Sequence, residues 1–431
     1  MKSIKHVLRV LTAAAIGWSA TVAQAGTVVT EIDKRYDANA GTEVIGGMAV
    51  DRDSNVIVTG WAGVSATGTG LRKYFTAKYD SYGRLKWLRH FSPPNGALDT
   101  PSSTVTVDAN GNAYIALAQS YHFGAIVKYD PAGNESVLTL GASVSPFWDW
   151  SIGLRTDAAG NLYLRAANAV EKYSPQGALL WRQQFQTYFG NWIRDIRIDA
   201  AGNVYAAGYG IDGSNRNAYP DVVLAKFNAA GNRLWSRVYD SGYYEQGLGL
   251  ELKPDGNLVV LATRGTPAAP TGTTLLTFDP NGNLLSNFGH VNGGTQDVPT
   301  AMRVGEDGNI TVLSTVDGDI HTARYAPNGV RLWSARYANT WIDQPRGLDV
   351  DPLGNTVVVG GSETGQHWSN SQFITLRYDA NGVQQFARRE INGYASHVKV
   401  GPTGEIWVAG HSYYPFDAVV LRYREFNGVC Q

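Results

Sequence analysis

The chain has 431 residues, with 36 lysines and arginines against 37 aspartates and glutamates, and a single cysteine. Balanced charge excludes the basic surface that nucleic-acid binding requires. One cysteine, with no Cys/His spacing of zinc-site type, excludes a disulfide framework and a structural metal cluster, so the core must come from packing, with neither metal nor cofactor.

The N-terminus reads as a cleaved signal peptide over residues 1–25. Lys2, Lys5 and Arg9 precede an apolar stretch from Val10 to Val22, and Ala23-Gln24-Ala25 has the small-x-small pattern of a cleavage site. The mature chain, residues 26–431, then forms one domain with 33 basic and 37 acidic residues and a formal charge of −4. No other segment approaches the ~20 apolar residues that span a bilayer. The expected product is a periplasmic or secreted monomer that does not insert into a membrane.

From residue 43 onward the sequence repeats. Each copy has an apolar run, a polar turn ending in Gly-Asn or a near variant, and a second apolar run. The turn positions are Asn55, Asn112, Asn161, Asn203, Asn257, Asn309 and Asn355, with Glu405 in the eighth place, and they average 50 residues apart over seven intervals. That is the period of a four-stranded propeller blade. Glycine supplies the positive φ of a tight hairpin and the flanking runs are strand formers, so each marker joins a first strand, A, to a second, B.

A second marker follows in every copy, an aromatic residue four positions before the next turn: Tyr79, Tyr129, Tyr173, Phe227, Phe278, Tyr325, Tyr378 and Tyr423. After that turn come Trp87, Trp181, Trp235 and Trp333, with Phe386 in the seventh copy. These mark strands C and D. Their recurrence predicts core packing, since burying each ring is worth ~1.5–3 kcal/mol.

The two ends complement each other. The eighth copy stops after its third strand, at Tyr423, while residues 27–41 resemble the fourth strand and exit loop of other copies. Pairing the N-terminal strand into the last blade covers an edge that would otherwise stay open. The predicted fold is all-β: an eight-bladed β-propeller of four-stranded antiparallel blades closed in this way, with seven blades as the fallback.

The run AAGNVYAAGY followed by DVVLAKFNAAGNRLW, within residues 195–235, resembles the bacterial SBBP-type β-propeller repeat, and the likeness recurs over residues 43–423. The resemblance implies an envelope or extracellular binding or scaffold protein. The Gly-x-x-x-Trp spacing from Gly83 to Trp87, and likewise at Trp181, Trp235 and Trp333, is similar to the tryptophan-docking repeats of quinoprotein dehydrogenases. Four copies lack that tryptophan and one cysteine cannot supply the adjacent cysteine pair of many such enzymes, so no quinone cofactor follows.

The A-B and C-D turns are short and uniform, whereas the B-C and D-A connections vary, which points to the second face as the functional one. Non-repeating aromatics gather there: Trp148, Trp150, Trp192, Tyr244, Trp341, Trp368 and Tyr413 are the candidate ligand contacts, with Phe147, Tyr188, Phe189, Tyr243, Tyr414 and Phe416 beside them. Flat rings with polar rims suit sugars, and they suit loop packing equally.

Twelve positions before the turn stand Glu43, Asp149, Glu245, Asp297 and Asp343, with Asn191 in the fourth copy and Asp99 one place earlier; a structural role against neighbouring amides is expected rather than an ion site. Six before it, Arg155, Arg197, Glu251, Arg303, Asp349 and Lys399 mostly alternate in sign and permit ion pairs between blades. Eight before it, Asp195 and His397 break the pattern. His397, His411, Asp343 and Glu43 are the candidate acid/base set. Asp317, Asp319 and His321 alternate as strand ligands would, but Val-Asp-Gly-Asp is equally a two-residue hairpin turn. Residues 208–213 match GxGxxG without the helix that dinucleotide binding needs.

Two functions follow as expectations: a non-catalytic binding or scaffold protein recognising a polysaccharide or an envelope or extracellular protein on its variable face, or a carbohydrate-active lyase or hydrolase using the same face.

Overall fold

The computed structural model describes residues 27–36, 42–63, 73–92, 102–119, 123–140, 152–166, 168–185, 189–211, 219–266, 269–290, 296–365, 370–413 and 416–426. The proposed signal peptide, Asp99, Phe147, Trp148, Asp149, Trp150, Tyr188, Trp368 and Tyr414 lie outside these residues.

The strand-forming runs pair as antiparallel meanders. The first sheet holds β2 (Glu43–Val50), β3 (Val56–Ala62), β4 (Lys73–Tyr79) and β5 (Leu85–Phe91), hydrogen-bonded in chain order. Five more four-stranded sheets repeat the pattern: β6 to β9 (102–140), β10 to β13 (152–184), β14 to β17 (189–239), β18 to β21 (244–290) and β22 to β25 (297–337). A seven-stranded sheet follows, in which β26 (Asp343–Val350), β27 (Thr356–Glu363) and β28 (Ser371–Tyr378) lead into the long β29 (Gln384–Val400), then β30 (Ile406–Ser412) and β31 (Ala418–Phe426). Residues 384–392 of β29 pair with β28 and residues 393–400 with β30, so one strand ends one meander and begins the next. The change of partner falls at Ile391 (φ 44°) and Gly393 (φ 143°), the first a conformation that a β-branched residue seldom adopts. The outer edge of β31 is covered by β1 (Thr27–Tyr36), with Thr27 opposite Phe426 and Tyr36 opposite Ala418.

The turns form for a reason visible in the sequence. In Asp-x-x-Gly-Asn, one carboxylate oxygen of Asp199 accepts the Ala201 and Asn203 amides at 3.0 and 2.8 Å and the other accepts the Asn203 side chain at 2.8 Å, while Gly202 takes φ 77°. The Asp317-Gly318 pair has positive φ at both residues and closes a two-residue hairpin before β24 (Asp319–Tyr325), as a primed turn requires.

All eight repeated aromatics are buried, from Tyr129 and Tyr423 at 1% exposure to Tyr79 at 7%. Six hydrophobic clusters are each shared between sheets that are consecutive in the chain, and a seventh joins the two meanders of the seven-stranded sheet. Another joins Ile45, Val58 and Phe75 of the first sheet to Trp407, Ala409 and Val420 of the last strands. The leading strands of the successive sheets lie against one another in order, and β29 lies against β2.

Between sheets, the D-strand tryptophans dock onto the following C-D turn. The Nε1–H groups of Trp87, Trp181, Trp235 and Trp333 donate to the carbonyls of Pro131, Ala229, Pro280 and Ala380 at 3.2, 3.2, 3.1 and 3.0 Å. The indole lies on the turn glycine, so that a Cβ built on Gly133 would sit 2.7 Å from Trp87. Glycine is required here both for its positive φ and for the approach of the ring.

Candidate functional site

Alternation along the leading strands sets the site's geometry. Leu154, Ile196, Leu250, Met302, Leu348 and Val398 are buried between sheets, and the residue on either side of each faces the other way. The charged positions thereby form a chain of ion pairs from sheet to sheet. Arg155 meets Asp195 at 3.5 Å, Arg197 meets Asp195 at 2.6 Å and Glu251 at 2.8 Å, Arg303 meets Glu251 at 3.4 Å and Asp349 at 3.5 Å, and Lys399 meets Asp349 at 3.5 Å. The two positions of the same register in the first sheets are Ala49 and Thr106, where the chain of charges stops. Burial works to raise the Asp195 carboxyl, but Arg197, Arg155 and the Leu250 amide outweigh it and hold it below the usual carboxylate range.

The buried acids that open the leading strands serve local order in part. Asp343 accepts the Asn339 amide at 2.9 Å and is also bonded to the Ser362 hydroxyl, both within its own sheet and its entry loop, and burial raises its pKa. Asp297 accepts the Thr273 hydroxyl of the preceding sheet at 3.0 Å. Glu43 and Glu245 are fully buried, and burial likewise raises Glu245.

Bulges reach the variable face with side chains that periodicity alone does not expose. In β14 (Phe189–Ile198), β26 and β29 the register shifts at Arg194, Arg346 and Ser396, the bulged residue in each case. Arg194 lies over the Tyr209 ring at 5.4 Å, and Tyr209 stacks with Trp192 at 5.4 Å and 27°. Burial, then Tyr209, raises the phenol of Tyr244, which opens β18 (Tyr244–Leu252) beside them. Arg346 lies 3.9 Å over Tyr394, whose ring meets His411 edge-on at 4.0 Å; Tyr413 meets Tyr394 and His411 at 5.8 and 6.0 Å, and Phe416 meets Tyr413 at 5.8 Å. Arg346 is exposed, Tyr394, Tyr413 and Phe416 are half-buried, and His411 is buried.

The aromatic candidates thus separate. Trp192 joins one cluster together with Tyr244, Tyr413 joins another, and Trp341 is 38% exposed at the entry to β26. Arg194, Tyr209, Arg346 and Tyr394 are site residues that the sequence reading passed over. Their signal is an arginine nine positions before the turn asparagine in the fourth and seventh copies only.

Of the candidate acid/base residues, His397, His411 and Asp343 have separate partners, while Glu43 is buried with its amide bonded to the Phe416 carbonyl at 2.9 Å. His397 bonds the Ser396 hydroxyl at 2.8 Å and the backbone of Gly46, whereas His411 contacts Tyr394 and Tyr413, and Asp343 is engaged by Asn339 and Ser362. Register places His397 opposite Ala409 and His411 opposite Tyr394. Burial pushes both imidazoles down to about 4, which leaves them neutral and weakly basic at pH 7.

No protein-family model matches the chain. A relative is an uncharacterized WD repeat-containing protein of Acanthamoeba polyphaga mimivirus, 23% identical over 392 residues, or 80% of this chain; the chain spans 26% of that relative's length. Among solved structures, the chain is similar to the Dos1 propeller, with a TM-score of 0.56, 14% identity and coverage of 90% of this chain and 94% of that one. It is also similar to puromycin hydrolase, with a TM-score of 0.53, 15% identity and coverage of 74% and 52%. These likenesses establish the fold: the meanders are propeller-type four-stranded antiparallel sheets. Among the described residues no helix is long and apolar enough to cross a membrane.

Proposed function

We propose that this chain is a closed eight-bladed propeller, exported by its N-terminal segment and acting as a monomeric binding or scaffold protein that recognises a glycan, or failing that a protein, on its variable face. Support for the ring is the contact of β29 with β2 together with the pairing of β1 on β31. The carrying observation for function is the group Arg346, Tyr394, His411, Tyr413 and Phe416. It sets partly open ring faces beside an exposed guanidinium, a surface that complements the C–H faces and hydroxyls of sugar rings. Catalysis by a lyase or hydrolase on this face would need proton exchange between the histidines and a carboxylate, and His397, His411 and Asp343 spend their contacts elsewhere.

The test is a polysaccharide panel with the mature chain, reading tryptophan fluorescence for binding and reducing ends or new double bonds for turnover. Binding without turnover is expected, weakened at least about tenfold by Tyr413→Ala or Arg346→Ala. Affinity unchanged in both variants would remove this group as the site, and turnover would replace the binding reading by the enzymatic one.

A further inference from the structure

Along the leading strands, the cations of the ion-pair chain outnumber the acids that meet them. Arg155, Arg197, Arg303 and Lys399 share three carboxylates, those of Asp195, Glu251 and Asp349, and the first two sheets place only Ala49 and Thr106 in this register. Arg197 takes the short contacts. Its guanidinium donates to Asp195 Oδ1 at 2.6 Å and to the two Glu251 oxygens at 2.8 and 3.0 Å. Backbone amides take more of the same acids: Asp195 Oδ1 accepts the Ile196 amide at 2.8 Å, Asp195 Oδ2 the Leu250 amide at 3.2 Å, and Asp349 Oδ2 the Val400 amide at 2.9 Å.

The other three cations are left with long contacts to oxygens that are shared. Arg155 stands 3.5 Å from Asp195 Oδ1, the oxygen that Arg197 and the Ile196 amide already hold. Arg303 stands 3.4 Å from Glu251 Oε1 and 3.5 Å from Asp349 Oδ1, and spends one N–H on the Met302 carbonyl at 2.9 Å. Lys399 stands 3.5 Å from that same Asp349 oxygen. Charge-assisted hydrogen bonds run at about 2.7–2.9 Å, so the acids beside these three groups do not satisfy them. Their side chains are 47, 35 and 35% exposed, which leaves donors open to a ligand.

The three also act on one another, although they come from the third sheet, the sixth and β29. Burial, then Arg197, holds the Arg155 guanidinium below its usual range, with Arg303 adding to this and Asp195 and Glu251 opposing. Burial likewise lowers the Lys399 ammonium, against the pull of Asp349 and with the help of Arg303 and Arg155. Positive charge is thus crowded and undercompensated in the space that these side chains share.

We infer that Arg155, Arg303 and Lys399 form a binding site for a compact tetrahedral oxyanion of the phosphate or sulfate type, seated between them. Guanidinium forks meet such an ion through paired N–H donors, and the ammonium adds a point charge. The site shares no residue with the aromatic group around Arg346, so each can fail without the other.

The experiment uses the mature chain, with titration calorimetry against sodium phosphate and sodium sulfate, and thermal melts in which either salt replaces NaCl at constant ionic strength so that screening stays fixed. One phosphate per chain and a raised Tm are expected. Arg155→Gln and Lys399→Gln each weaken phosphate at least about tenfold. Arg155→Gln, at the exposed end of the chain of charges, melts close to the parent in NaCl, so its lost response is not a lost fold. Arg84→Gln removes a 77%-exposed guanidinium from a turn of the first sheet and keeps the full response. Three results would overturn the site: no binding of either anion up to about 20 mM, a Tm rise undiminished in Arg155→Gln or Lys399→Gln, as general salting-out gives, or an equal loss in Arg84→Gln.

Discussion

The Trp333 indole donates to the Ala380 carbonyl of the next sheet at 3.0 Å and rests on Gly382, whose φ of 83° closes the same turn. A Cβ on Gly382 would stand 2.6 Å from the indole, whereas one on Gly404, at φ 85°, meets nothing within 4 Å. Both Gly→Ala changes carry the cost of positive φ, about 1–2 kcal/mol. Gly382→Ala also forces the ring away, and should cost roughly 1–3 kcal/mol more. Urea denaturation of the two variants measures the difference, and Trp333→Ala in the Gly382→Ala background should recover part of it. Equal losses in the two glycine variants would mean that the docking contributes little.

The ion-pair chain on the leading strands makes a second distinction. Glu251 is shared by Arg197 and Arg303 and has a side chain 16% exposed, while Arg155, at the end of the chain, is 47% exposed. Glu251→Gln leaves two guanidinium groups short of a partner and should cost about 2–4 kcal/mol. Arg155→Ala should cost less than about 1 kcal/mol, because solvent already screens that end. Chemical denaturation of both variants checks the ordering, and a reversed order would show that the charges act independently.

Much of this architecture was legible because it repeats. Turn glycines, Asx bonds and C-strand aromatics are local requirements met in copy after copy, so the sheet boundaries and the buried set at Tyr79 through Tyr423 follow from spacing. The alternating charges at Arg197, Glu251 and Arg303 were readable for the same reason, since one register on neighbouring strands brings them together. The site was less legible. A β-bulge is not written in a two-residue period, and it is the bulge that sends Arg194 and Arg346 to the rings of Tyr209 and Tyr394.

The two histidines on the last sheet make stability depend on pH in a defined direction. His397 and His411 ordinarily titrate near 6.5, and burial holds both near 4; Lys399 adds to this for His397 and Arg346 for His411, with the Gly46 bond to His397 opposing. Between those values the unfolded chain binds protons that the folded chain refuses, so stability falls as pH drops from about 6.5 to about 4. For the 7%-exposed His411, the loss is on the order of 1–3 kcal/mol. Asp195 acts in the same sense at lower pH, because its carboxyl is held down by Arg197 and Arg155 and loses that stabilisation when protonated. Melting curves across this range should show the decline, and His411→Gln should flatten it between pH 6.5 and 4. An equally steep decline in the variant would mean that His411 contributes little to it, leaving His397 and the carboxylates.

The N-terminal strand should matter out of proportion to its length. Tyr36 belongs to β1, in the last sheet, yet its ring lies 4.6 Å from Phe75 of the first sheet and its hydroxyl bonds the His90 ring there. Its side chain therefore ties the strand that covers β31 to the first sheet. Tyr36→Ala removes this tie and should cost about 1–3 kcal/mol. Deleting residues 27–36 does more, since it bares the hydrogen-bonding edge of β31, a template for pairing with a second chain. Light scattering coupled to size exclusion should then show association, together with a lowered Tm. A deletion variant that stayed monomeric and melted with the parent would mean that β1 adds a strand without securing the last sheet to the first.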